Sequence, residues 1–408
     1  MQASRIPEVP LSELGRIVTG RTPPSEVDGY FGDGCPFITP TDMEGQKYIR
    51  KTERELTPGG KALLARCVVP AGSVTVSCIG WQLGKVALTD RDAATNQQLN
   101  TIVPNSRVEP DYLYYALSVR RDELKRLGQV GTRTPIVNKS VFSGLRIPLP
   151  DVDAQRRITR TLSAYDDLIE NCGRRIRLLD EMARSLYREW FVLFRYPGHE
   201  KTPLVDSPLG RIPKMWAVTP ASHALTINPK VSLPRDGARP FVPMGSLSND
   251  TMLISEIETR NVTTGAKFQN GDTLMARITP CLENGKTGFV QFLPEAESAG
   301  CGSTEFIVLR GRSVPSQYVY CLARSAEFRQ HAIKSMSGAT GRQRVQEACF
   351  SRFFLAQPPV ELLRRFEDFV RPTFELSQVF HLRMETLRLT RDLLLPRLLS
   401  GQLRMEAS

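Results

Sequence analysis

Gly285-Lys286-Thr287 reads like the end of a phosphate-binding P-loop, in which backbone N–H groups cradle phosphate and the lysine neutralises it. The position five before Gly285, where that loop needs glycine, is Pro280, so the cradle is missing. Gln357-Pro358-Pro359-Val360 has the outline of the Asn-Pro-Pro-Tyr motif of amino-methyltransferases. No glycine-rich cofactor loop precedes it, and a stop before a helix accounts for its prolines. Pro110-Asp111 with Glu123 and Lys125 supplies the residue types of a metal-dependent nuclease. Those residues are expected along one continuous helix, where their carboxylates cannot converge on a metal as they would from strands. No Ser/His/Asp arrangement is supported by two separate parts of the chain. Eight cysteines lie at 35, 67, 78, 172, 281, 301, 321 and 349 without a CxxC pair, and none of the four histidines is near one at ligand spacing. Reduced, buried thiols are expected, and no metal.

Binding chemistry is better represented than catalysis. The formal charge is +11, and residues 1–150 and 197–358 carry most of the excess. Between Glu123 and Asp151 there is no acid, while Lys125, Arg126, Arg133, Lys139 and Arg146 fall inside; between Glu327 and Glu347 there is again none, with Arg329, Lys334, Arg342 and Arg344 inside. Two purely basic stretches with polar side chains among them fit a polyanion, with Lys/Arg holding phosphates and Thr, Asn and Gln reading base edges. Glycines 128, 131, 338 and 341 are expected to let those backbones approach a partner closely. The candidate DNA-binding residues are Arg21, Gln82, Lys85, Thr132, Arg133, Asn138 and Lys139 in the first half, and Lys230, Glu283, Lys286, Arg342, Gln343 and Arg344 in the second.

The elements that position them occur twice. Pro36-Phe37-Ile38 returns as Pro240-Phe241-Val242, Gly84-Lys85 as Gly285-Lys286, Asp111–Tyr115 as Gln317–Cys321, and Ser143–Pro150 as Ser351–Pro358. Each half holds short β-branched strands bounded by Gly, Pro and Asn, then a helix from Pro110 or Pro315, a Gly-rich loop and a proline stop. An α/β (α+β) domain of about 150 residues is expected in each half.

A different pattern follows each stop. Ile158, Leu162, Tyr165, Ile169, Cys172, Ile176, Leu179, Ala183, Leu186 and Trp190 alternate four and three apart, an a/d seam. The second seam runs Phe366, Val370, Thr373, Ser377, Phe380, Met384, Leu387, Arg391, Leu394, Leu398, weakened by its polar members and expected to kink at Pro372. The two helices are expected to pair as an antiparallel coiled coil, the first a rod of roughly 55 Å. No apolar stretch reaches membrane length and Met1–Leu14 lacks a signal-peptide core, so cytoplasmic residence is expected.

Several segments together resemble the specificity subunit of type I restriction-modification enzymes. Leu14-Gly15-Arg16-Ile17-Val18-Thr19-Gly20-Arg21-Thr22-Pro23 is similar to the family's opening. Ile147-Pro148-Leu149-Pro150 with Gln155 resembles its helix start, and Glu189-Trp190-Phe191 running to Phe194–Glu200 the end of its central helix. Leu209–Pro213 with Trp216, and Leu394–Gly401, resemble the lead-in to its second domain and its closing helix. The second copy departs at its helix start, where Gln357-Pro358-Pro359 has no following Gln.

The resemblance implies two target-recognition domains (1–150 and 197–358) separated by a central helix (151–196) and a C-terminal helix (359–408). It implies a non-catalytic chain that reads an asymmetric bipartite double-stranded DNA site and directs adenine methylation or cleavage by others. The implied partners are two modification subunits carrying S-adenosylmethionine and two motor-nuclease subunits using ATP and Mg²⁺, with no cofactor in this chain. Ile169, Leu179, Leu186, Trp190, Phe380, Leu387 and Leu394 are the expected partner-binding positions on the helices. The alternatives are a self-contained DNA methyltransferase or nuclease, which would bind S-adenosylmethionine or cleave with Mg²⁺ unaided, and a protein-interaction scaffold indifferent to DNA.

Overall fold

Val74–Ser77 and Thr273–Ala276 form strands because they are buried on both faces, where β-branched and apolar side chains pack well on a pleated surface. Each anchors one half of the duplication. The computed structural model describes residues 6–24, 29–129, 134–233, 237–294, 298–339 and 341–403. The chain folds as two units, Met1–Ile169 with Thr386–Ser408, and Glu170–Glu385.

In the first unit Val74–Ser77 lies third in a five-stranded sheet ordered Gly15–Thr19, Leu99–Pro104, Val74–Ser77, Val86–Thr89, Tyr48–Ile49. All pairs are antiparallel except the last. A second sheet is ordered Arg54–Leu56, Phe31–Ile38, Ala93–Thr95, Val68–Val69, with its central pair parallel. In the second unit Thr273–Ala276 lies between Phe306–Gly311 and Thr287–Phe289, and the companion sheet again has a parallel central pair, Arg239–Val242 with Ala299–Gly302. Phe37 faces Ala94 in one unit and Phe241 faces Cys301 in the other, so the repeat read in the sequence extends to strand register.

Helices Pro110–Ser118 and Ser316–Arg324 pack against these sheets through Tyr112, Leu113 and Tyr115, and through Tyr318, Val319 and Tyr320. The expected continuous helix from Pro110 does not form. It ends at Val119, and Arg121–Gly128 starts a new one after Arg120 leaves helical geometry (φ −102°, ψ 15°). Asp111 is held by Lys47 at 2.8 Å and by the Tyr48 hydroxyl, while Glu123 pairs with Arg120 at 2.6 Å. The carboxylates of the nuclease-like pattern thus face separate cations rather than each other.

The long helices run Val152–Tyr187 and Val360–Leu399. All twenty seam positions are turned away from solvent, fully or in part. Within the first unit Ile158 and Leu162 share a core with Leu395 and Leu398, and Arg391 meets Asp166 at 2.6 Å. Within the second, Arg175 lies over Phe380 and Trp190 packs on Phe366 and Phe369, so the segments run antiparallel in each unit. The polar seam residues are satisfied locally. Thr373 and Ser377 donate to the carbonyls of Val370 and Thr373, and Arg391 has its carboxylate. Pro372 does not end the helix; it is exposed, where water can take the carbonyl that its missing N–H leaves unpaired.

Gln155 fastens the first helix start. Buried, it accepts from Glu109 N at 2.9 Å and donates to the carbonyls of Arg107 (3.1 Å) and Pro150 (2.9 Å). In the second copy the corresponding Leu363 is also buried and the helix starts at Val360 without such a clasp. Gln155→Ala strands a buried amide N–H and two carbonyls, each costing about 1–3 kcal/mol. A lower melting temperature is expected, and Leu363→Ala serves as the apolar control; calorimetry showing no loss for Gln155→Ala would contradict the clasp.

Candidate nucleic-acid interface

At one end of each central sheet three chain segments are laced together by the same hydrogen bonds. In the first unit Cys78 N donates to Gln98 O (2.8 Å) and Val137 N to Cys78 O (2.8 Å), while Gly80 N donates to Pro135 O (2.9 Å). In the second, Arg277 N donates to Glu305 O (2.9 Å), Val345 N to Arg277 O (2.9 Å), and Thr279 N to Gln343 O (3.1 Å). Bridges Ile79–Ile136 and Ile278–Arg344 complete the match. Each basic stretch is therefore stitched onto a sheet end, which gives its side chains a fixed platform.

Around the first platform Arg21 is exposed, its N–H bound to Thr95 O at 2.8 Å, and Thr22 bonds Gln97 at 2.6 Å. Gln82 and Lys85 sit on the loop between strands, with Lys85 Nζ 3.2 Å from both Gln82 Oε1 and Pro40 O. Asn138 and Lys139 are exposed where the laced segment leaves the sheet, but Asn138 Oδ1 caps the next helix by accepting from Val141 N at 2.9 Å. Thr132 and Arg133 lie outside the described residues. Gly128 serves internal packing, because a Cβ there would meet Leu83 Cδ1 at 2.8 Å. The Cys78 thiol, beside this platform, is pushed up by burial to about 11, so it stays protonated and is no nucleophile.

The second platform has the same frame and different chemistry. Arg344 forms a forked pair with Glu305 (Nη2–Oε1 2.6 Å, Nε–Oε2 2.9 Å), and hydrogen bonds from the guanidinium hold the Glu305 carboxyl below the usual range. Gln343 N–H donates to Thr279 Oγ1, leaving its side chain half-buried beside the exposed Arg342. Gly341 takes φ +80° in open space, the left-handed turn that glycine tolerates. Glu283 is exposed on the neighbouring loop. Lys230 stands apart, on the rim of a cleft of about 460 Å³ with Lys267 and Arg277.

Lys85 and Lys286 serve the same internal purpose. Lys286 Nζ donates to the carbonyls of Met244 (3.1 Å), Gly245 (3.4 Å) and Leu247 (3.2 Å), tying the loop to a turn equivalent to the one at Pro40. All three donors of its ammonium are engaged. On the helices, Trp190 and Phe380 are buried within the second unit, because the a/d seam is used for pairing inside the chain. Ile169, Leu179, Leu186, Leu387 and Leu394 are half-buried, and the exposed apolar residues are their neighbours, among them Leu178, Met182, Phe369, Leu376 and Leu393. Sequence reasoning missed Trp81, Gln97, Gln98 and Glu305, which the strand ends bring onto the platforms; a tryptophan inside the Gly80–Gly84 loop was the available signal. Among the described residues no group of three His, Cys, Asp or Glu could hold a metal, and no helix is long and apolar enough to cross a membrane.

Two α+β units of matching strand register thus each carry a laced, basic platform, and the helix seam pairs within each unit. Comparison with known proteins shows what the chain is similar to. Residues 6–179 match the type I restriction modification DNA specificity domain. The MjaIX specificity subunit of Methanocaldococcus jannaschii is 25% identical over 97% of this chain and 93% of its own length. The HindI specificity subunit of Haemophilus influenzae is 37% identical over 142 residues, 34% of this chain and 31% of its own. The type I restriction-modification S subunit from M. genitalium has the same fold, with a TM-score of 0.54 at 14% identity over 100% of this chain and 99% of that one. Residues 6–179 carry the match to the specificity domain, and the chain is similar to type I specificity subunits along its length.

Lys286→Met strips three carbonyls of their donor. It should lower the melting temperature of the protein, whereas Arg342→Met, at an exposed position, should leave it within a degree or two. Equal melting of the two variants would show that Lys286 is not a structural pin.

Proposed function

We propose that this chain reads an asymmetric, interrupted site on double-stranded DNA and directs adenine methylation or cleavage carried out by its partners. The recognition domains are residues 1–150 and 197–358, with the helices 151–196 and 359–408 as scaffold. The observation that carries this is the doubled platform, one frame bearing two unlike sets of side chains. Arg21, Gln82, Thr132, Arg133 and Lys139 serve the first half-site, and Arg342, Gln343, Arg344, Glu283 and Lys230 the second. Asn138, Lys85 and Lys286 act chiefly by fixing these loops, with Lys85 and Asn138 keeping donors to spare.

Lysines and arginines anchor phosphates while amides and forked guanidinium groups read base edges. Two modification subunits, which bring S-adenosylmethionine, dock on the exposed apolar residues beside the helix seam. Two motor-nuclease subunits, which bring ATP and Mg²⁺, complete the assembly in the cytoplasm. Neither cofactor is assigned to this chain.

With roughly 3 to 5 phosphates neutralised per domain, log affinity against log salt is expected to slope at about −5 to −9. Filter binding of a duplex between 50 and 200 mM salt checks this, and a flat response would sink the reading. Replacing residues 1–150 with the first domain of another family member should change one half-site only. Methylation-sensitive sequencing of cells expressing the hybrid with its modification subunit reports the outcome; simultaneous change of both half-sites contradicts independent readers.

A further inference from the structure

Of three tryptophans, Trp190 and Trp216 are 5% and 6% exposed, whereas Trp81 is 85% exposed. An indole can bury some 150–250 Å², so leaving one in water forgoes much of the apolar burial available to the chain. The loop that carries it is well fixed. Gly80 N donates to Pro135 O (2.9 Å), Leu83 N to Gly80 O (3.1 Å), Gly84 N to Ser77 O (2.8 Å), and Ser77 Oγ to Gln82 O (2.5 Å). Leu83 beneath it is 1% exposed. A side chain held out from such a loop is preorganised and loses little entropy when a ligand covers it.

We infer that Trp81 is a stacking residue for DNA, its indole lying against a base at one step of the half-site read by the first recognition domain. The inference rests on the proposed function and adds a residue that acts through the π-face of a base rather than its edge. The surroundings suit this ligand. Gln82 adjoins it in the chain, Gln98 Nε2 lies 4.0 Å from where a Cβ on Gly80 would stand, and the segment bonded to the loop contains no acid between Glu123 and Asp151. Ile136, paired with Ile79, is the neighbouring exposed apolar side chain. A protein interface takes some 20–30 residues a side, far more than an indole and an isoleucine amid polar groups. A wedge at a base step needs only such a small apolar tip beside phosphate-binding cations. In the second unit the aligned loop position is Pro280, which offers no comparable aromatic face, so the effect belongs to one half-site.

The test uses the full chain labelled with 5-fluorotryptophan and a duplex carrying the bipartite motif found by methylation mapping of the host. Of three ¹⁹F resonances, the one lost in Trp81→Phe reports residue 81. It should shift when the duplex binds and stay in place when the modification subunit is added without DNA. Trp81→Ala should weaken binding of the intact site about tenfold, with Trp81→Phe between, and both should leave discrimination at the second half-site unchanged. A resonance that moves with the modification subunit alone assigns the indole to a protein contact and overturns the inference. An unmoved resonance with Trp81→Ala affinity within twofold of the parent also overturns it while leaving the proposed function standing. Failure of the parent chain to bind the duplex overturns both.

Discussion

A carboxylate taken out of water must be met by hydrogen bonds or a cation, and leaving one buried without them costs several kcal/mol. The first long helix carries two such groups, one in each unit. Asp180 is completely buried and accepts from the Tyr320 hydroxyl at 2.6 Å and from Arg184 at 2.7 Å. Asp166 accepts from the Tyr115 hydroxyl and pairs with Arg391. In both units the tyrosine comes from the helix that backs the central sheet, so each bond seats a sheet on the long helix at one angular position. Apolar contacts alone are non-directional and would permit neighbouring registers. Burial and the adjacent carboxylate push both phenols far above their ordinary range, which keeps them protonated as donors.

With the sheets seated in this way, the laced frame at one end of each can be kept while its surface varies. The lacing uses main-chain groups, and among the described residues both units share a lysine that grips carbonyl oxygens, at Pro40 in one unit and Met244 in the other. Side chains that face outward are then free to differ. Gln98 in the first unit corresponds to Glu305 in the second, and Ile136 to Arg344, so a neutral pair stands where the other unit has an ion pair. The separation lets one frame carry two unlike surfaces.

The architecture was legible because its signals are periodic or repeated. Heptad spacing gave both helix seams, and the internal echo gave two equivalent sheets. The site was less legible because chemistry at a surface depends on who reaches a side chain first. Lys286 and Asn138 have the residue types of DNA-binding groups, yet a turn and a helix N-terminus claim them. Trp190 and Phe380 look like docking residues in a linear pattern, yet the seam they form closes on itself. Trp81 and Glu305 escaped because one sits in a loop without period and the other becomes notable only through Arg344, thirty-nine residues away. The break at Arg120 was hidden for a similar reason, since residues on both sides of it favour helix.

If the chain reads DNA as proposed above, the forked pair between Arg344 and Glu305 bears on how it would search a chromosome. An unpaired arginine sheds a loosely held counterion to take any phosphate, so it grips every stretch of duplex alike. An arginine already holding a carboxylate must surrender two short hydrogen bonds first, and a lone phosphate oxygen is a poor exchange. A guanine edge, with acceptors O6 and N7 side by side, matches the fork. Glu305, once released, can accept from a cytosine amino group nearby. On the function proposed above, the pair would act as a latch, shut on the wrong sequence and opened where the base pair offers something to each half.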